Sequence, residues 1–131
     1  ILKEELFHAW QDAYYHGGIA QYGKDAQGNK LPGLVNIEFE AKVFCDIFND
    51  ENAPCCYAFR PGSDTLPEYE YNRYTEWIYD IQDKVISIRG EDYQYWLKLF
   101  NEHSPEYKSE RVNDLETPRA IKDLMKKYNC H

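Results

Sequence analysis

Several things are scarce in this chain, and each scarcity excludes something. No stretch approaches the run of about 18 apolar residues that a membrane-spanning helix needs, and the first residues, ILKEELFHAW, are amphipathic rather than signal-like. The chain is therefore expected to be soluble and to make no membrane contact. Cysteine is limited to Cys45, Cys55, Cys56 and Cys130, with no C-x-x-C pair. That spacing fits neither a common zinc framework nor a small secreted disulfide framework, and it favours reduced thiols and a cytoplasmic location. Glycine is rare after residue 33: five of the seven lie between Gly17 and Gly33, which marks that segment as a loop or hairpin.

Basic residues are scarcest where acids are densest. Residues 38 to 92 hold 13 acids against 5 bases, a balance of -8 that equals the net charge of all 131 residues. An acidic chain repels nucleic acid and anionic membranes, so direct binding to either is not expected. The one basic stretch, Arg119, Lys122, Lys126 and Lys127 against Asp123, is short.

What is present in quantity is aromatic surface: 3 Trp, 12 Tyr and 6 Phe in a composition that is 43 % hydrophobic. This is ample for one globular domain over residues 1-131, and out of place in a disordered chain. Acid and ring coincide in Pro67 to Asp80, PEYEYNRYTEWIYD. There Glu68, Glu70, Glu76 and Asp80 alternate with Tyr69, Tyr71, Tyr74, Trp77 and Tyr79, and Arg73 is the only base.

Periodicity predicts the elements. Leu2, Leu6, Trp10 and Tyr14 form one apolar stripe, with Phe7 and Ala13 beside it, so residues 2 to 15 read as an amphipathic helix ended by Gly17 and Gly18. Val35, Ile37, Phe39, Ala41 and Val43 alternate with Asn36, Glu38, Glu40 and Lys42. That period of two favours a strand extended by Cys45 and Ile47 over a helix built on Ile37, Phe44, Ile47 and Phe48. CCYAF at 55 to 59 would return as its hairpin partner. Thr65 with Pro67 and Glu68 resembles a capping box, so 68 to 80 reads as a helix with Tyr71, Tyr74 and Ile78 inward, although a hairpin through QDK to VISIR is a rival. Tyr93, Trp96, Leu97 and Phe100 define a further helix. Thr117 as cap and Pro118 at the first position open a last one, with Ile121, Leu124, Met125 and Tyr128 on its inner face. The order predicts an α+β fold, a small antiparallel sheet packed against three or four helices.

Candidate chemistry is thin. Glu4, His8, Asp12 and His16 make a continuous i, i+4 row that could hold a divalent metal, but the row lies nearly opposite the Leu6 and Trp10 stripe, where a surface helix keeps its solvated residues. It also lacks an identifiable outer carbonyl or carboxylate to orient the histidines. GIAQYGKD at 18 to 25 falls short of a phosphate-binding loop, because Asp25 stands where a hydroxyl residue is required. No cysteine is tied locally to a histidine base. No metal, cofactor or catalytic residue is assigned, and the chain is not read as an enzyme.

The expectation that remains is a small acidic interaction module, most simply an inhibitor such as an immunity protein, antitoxin or phage-encoded defence inhibitor. It would hold a basic, nucleic-acid-handling protein through Glu68, Tyr69, Glu70, Glu76, Trp77, Tyr79 and Asp80, extended by Glu38 and Glu40, because carboxylates attract and aromatic rings anchor. A small metal- or thiol-dependent hydrolase and a ligand-binding module with an aromatic pocket are the alternatives.

Overall fold

The computed structural model describes residues 2-29, 31-48, 58-59, 66-104 and 115-128. Among them are five α-helices: α1 (Leu2–Tyr14), α2 (Leu34–Ile47), α3 (Glu68–Ile81), α4 (Gly90–His103) and α5 (Arg119–Tyr128). Two short 3-10 turns, Ala20–Tyr22 and Val85–Ser87, complete the regular structure, and no strand occurs among the described residues. The expected α+β class with its antiparallel sheet is thus corrected to a helical fold. No described helix is long and apolar enough to cross a membrane.

The segment read as the first strand is α2, and its position explains the misreading. This helix is central, touching α1, α3, α4 and α5. Val35, Ile37, Phe39, Ala41 and Val43 are all buried, as alternation required, but they are spread around a helix enclosed on nearly every side. An enclosed helix needs apolar residues all round and so loses the one-sided 3.6-residue signature. Several polar residues of the helix are buried too: Asn36, Glu40 and Asp46, each with protein partners, while Glu38 and Lys42 are half-buried against α1.

The other extended predictions change in kind. Val85–Ser87 is a 3-10 turn rather than part of a strand. The Gly17 to Gly33 segment is a loop in which Asp25 accepts hydrogen bonds from the backbone N–H groups of Gln27 and Asn29, the side-chain-to-backbone turn that Asp favours. Of CCYAF, only Ala58 and Phe59 are described, and both are buried in the core rather than paired. Thr65 lies outside the described residues, and α3 starts after Pro67 with no side-chain cap.

The helix at the start stands where predicted but is turned about its axis. Leu6 is 64 % exposed, while Phe7, Gln11 and Tyr15 are buried and Glu4 and His8 lie half-buried beside them. Residues 4, 7, 8, 11 and 15 share one face of a helix, and in α1 that face meets α2. Phe7 stacks on Phe44 at 4.3 Å between ring centroids. Of the predicted apolar stripe, Leu6 and Tyr14 point to solvent, while Trp10 packs against the core and its Nε1–H donates to the Ala120 carbonyl at 3.2 Å. The polar row divides accordingly: Glu4 and His8 face α2, and Asp12 turns back to accept from the Ile19 backbone N–H at 2.9 Å. Gly18 permits that closure, since its φ is +78° and a Cβ there would lie 2.7 Å from the Asp12 Oδ1.

One core joins the helices. Phe39, Tyr74, Tyr93, Trp96, Leu97, Phe100 and Ile121 pack with Phe59 in a continuous apolar cluster. The predicted inward residues of α4, Tyr93, Trp96, Leu97 and Phe100, are all buried.

Candidate functional site: an anionic aromatic cleft

Helix α3 lays Tyr74, Ile78 and Ile81 into the core, with Tyr71 half-buried beside them. Tyr74 is fixed from below: its hydroxyl donates to the Asp46 carboxylate of α2 at 2.6 Å. With that face committed, helical spacing turns Tyr69, Arg73, Glu76 and Asp80 outward as one stripe. Helix α4 lies alongside, and between the two runs an open cleft of about 490 Å³ lined by Arg73, Glu76, Trp77, Asp80, Glu91, Asp92, Tyr95 and Trp96.

The walls are aromatic. Trp77 and Trp96 face each other at 6.2 Å between centroids, and Tyr95 meets Trp96 edge-on at 4.8 Å. The rim is anionic, four carboxylates against one guanidinium. Arg73 is already engaged, bonded to the Glu70 carboxylate at 2.7 Å and to the Tyr95 hydroxyl at 3.2 Å, with its plane over Tyr95 and Trp96. Glu91 pairs with Arg89. The side chains of Glu76, Asp80 and Asp92 have no hydrogen-bond or ion-pair partner among the described residues.

The residues singled out from sequence separate into three groups. Glu76, Trp77 and Asp80 line the cleft, and Tyr69 lies on the same stripe. Glu68 and Tyr79 are exposed on the adjoining side of α3, Tyr79 at 79 %. Glu70, Glu40 and Glu38 are not available to a partner there. Glu70 is 5 % exposed and shared by Arg73 and the Tyr95 hydroxyl, which donates to it at 2.6 Å.

Glu40 is 1 % exposed. Its carboxylate accepts from Gln11 Nε2 at 2.9 Å, the Tyr15 hydroxyl at 2.8 Å, and the backbone N–H groups of Ala120 and Ile121 at 2.9 and 3.1 Å. Those amides open α5, so the amides expected to meet a Thr117 cap are held by a carboxylate 80 residues away, at the helix end that favours negative charge. Burial pushes the Glu40 carboxyl above its ordinary range, opposed by these four donors.

Glu38 belongs to a different face, against α1. His8 Nε2 lies 3.8 Å from Glu4 Oε2 and 3.7 Å from Glu38 Oε2, and Lys42 Nζ lies 3.3 Å from Glu4 Oε2. Glu38, then Glu4, raise His8 to about 10. This is the group of potential metal ligands that the described residues bring together.

The thiol alternative finds nothing to stand on at Cys45. It is a buried free cysteine, and burial pushes its thiol up to about 11, away from the thiolate a nucleophile needs. Cys55, Cys56 and Cys130 lie outside the described residues.

Sequence reasoning missed the α4 wall of the cleft, Glu91, Asp92, Tyr95 and Trp96. The segment EDYQYW carries the same mixture of acid and ring as 68 to 80, and that repetition was the available signal. No family model, curated protein or solved structure matches the chain, so its functional reading rests on its own residues.

Proposed function

We propose that this protein is a small acidic interaction module that holds a basic protein partner in the α3–α4 cleft, in the manner of an inhibitor of a nucleic-acid-handling effector. The observation that carries this reading is that Glu76, Asp80 and Asp92, beside the Trp77 and Trp96 rings, have no partner among the described residues. Carboxylates with no internal partner steer a cationic surface and accept its hydrogen bonds, and adjacent indoles supply rigid contact area and faces for guanidinium groups. An array of carboxylates at a protein surface also offers a nucleic-acid-binding protein a substitute for phosphates.

The contact set is narrower than the sequence suggested: Glu76, Asp80 and Asp92 for charge, Trp77 for anchoring, with Tyr69, Glu68 and Tyr79 at the margin. Immobilised wild-type protein should retain a basic protein at low ionic strength and release it as salt rises, since exposed charges act through a screened field. The variant Glu76→Gln/Asp80→Asn should not retain that protein. Equal retention by wild type and variant would overturn the reading.

A further inference from the structure

Where Glu4 and His8 of α1 meet Glu38 of α2, three features combine. His8 Nε2 stands 3.8 and 3.7 Å from one oxygen of each glutamate. These separations are longer than a hydrogen bond of about 2.7–3.2 Å. They lie within a few tenths of an ångström of the about 3.4–3.6 Å that separates two atoms bound at about 2.1 Å to one zinc ion at tetrahedral to trigonal angles.

The second feature is the orientation of the imidazole, which Gln11 dictates. Gln11 is fully buried, and its amide nitrogen donates to the Ile37 carbonyl at 3.1 Å and to Glu40 at 2.9 Å. Its amide oxygen is thereby left facing His8 Nδ1 at 2.8 Å. An oxygen there requires Nδ1 to carry a hydrogen, which directs Nε2 at the two carboxylates. A ring nitrogen held by an outer carbonyl while the other faces the ion is the arrangement of metal-binding histidines, and Gln11 is the orienting group that the helical row by itself did not reveal.

The third feature is access. The three side chains keep 20 to 23 % of their surface exposed, so an ion can enter and water can fill a fourth position. One imidazole with two carboxylates suits a borderline divalent ion better than magnesium or calcium, which prefer oxygen alone.

We propose that Glu4, His8 and Glu38 form a binding site for a divalent transition metal of the zinc class, which clamps α1 onto α2. Gln11 positions the histidine without touching the ion. Lys42, whose ammonium lies 3.3 Å from Glu4 Oε2, competes with the ion for that carboxylate. The site is independent of the α3–α4 cleft, so its test and that of the cleft can fail separately.

The test is calorimetric titration of the full chain, stripped by chelator, with Zn²⁺ alone, and parallel titration with Co²⁺ read by visible absorption. One equivalent of zinc should bind with micromolar or tighter affinity, and Co²⁺ should give the intense bands of a four-coordinate ion. The isosteric variant Glu38→Gln and the variant His8→Ala should each weaken zinc binding by about 100-fold or more, and Gln11→Leu by about 10- to 100-fold. Lys42→Met should tighten it several-fold, an effect that a purely structural ion pair does not produce. Circular dichroism identifies any variant that fails to fold, and Glu38→Gln, which preserves shape, keeps the test decisive. Absence of saturable zinc binding, or binding unchanged by Glu38→Gln and His8→Ala, would overturn the proposal.

Discussion

Two regions of the molecule draw on the same acidic stretch and use it in opposite ways. At the junction of α1, α2 and α5, Glu40 is sealed from water and accepts four hydrogen bonds from two segments of the chain, Gln11 and Tyr15 at α1 and Ala120 and Ile121 at the start of α5. In the α3–α4 cleft, Glu76 and Asp80 are exposed with no described partner. Counted as charges, each of these carboxylates is the same. Their surroundings decide that Glu40 holds the fold together while Glu76 and Asp80 stay at the surface, which is why a local charge of -8 overstates the anionic surface.

The sharpest way to break this contrast is to remove Glu40. Glu40→Ala strands the Ala120 and Ile121 amides, the Gln11 amide and the Tyr15 hydroxyl, and should cost about 3–5 kcal/mol or prevent folding, read by chemical denaturation. A loss under about 1 kcal/mol would show that the junction is not held this way. A smaller effect is expected beneath α3. Tyr74→Phe removes one hydroxyl from Asp46 and should cost about 1–2 kcal/mol, with α3 loosened in hydrogen exchange.

The cluster between α1 and α2 should respond to pH. His8 is raised from its ordinary value of 6.5 to about 10 by Glu38 and Glu4, so the charged form is favoured in the folded state. Its contribution is fully present below about pH 6.5 and is lost as pH rises through about 10. With chelator present, the stability difference between wild type and His8→Gln should be largest at pH 6 and shrink toward pH 10. Screening by solvent limits its size to about 1 kcal/mol. A pH-independent difference would sink this assignment.

The smallest effect on stability belongs to the cleft. Glu76→Gln/Asp80→Asn should change stability by no more than about 0.5 kcal/mol, because neither side chain has a described partner. A loss of 2 kcal/mol would mean that these acids, like Glu40, serve the fold.

How much of this was legible in the sequence depended on how many sides of each helix are covered. α3 and α4 each bury one side, so Tyr74, Ile78, Tyr93, Trp96, Leu97 and Phe100 could be placed inward from spacing alone. α2 is covered by four neighbours, and its apolar residues at 35, 37, 39, 41 and 43 imitated a strand because most of its circumference is enclosed and only Glu38 and Lys42 among the charged residues keep some contact with water. α1 shows the converse: the Leu6 stripe is the more apolar side, yet the Gln11 and Tyr15 bonds to Glu40 turn the polar Glu4 and His8 side inward. Those partners lie 25 residues or more away in the chain, and no local pattern announces them. The cleft was half legible, since its α3 wall could be read and its α4 wall depended on which helices become neighbours.

On the proposed reading, the cleft and not net charge equips this protein to hold a cation-rich partner. The direct measurement is titration with an arginine-rich peptide, followed by tryptophan fluorescence and by heat. It compares wild type, Glu76→Gln/Asp80→Asn, and a control of equal charge, Glu5→Gln/Glu102→Gln. Wild type and control should bind alike, with affinity falling steeply between about 0.05 and 0.5 M salt, and Trp77→Ala should remove most of the fluorescence change. The cleft variant should lose binding. Equal weakening of the cleft variant and the control would contradict the claim, because it would trace attraction to total charge rather than to the acids beside Trp77.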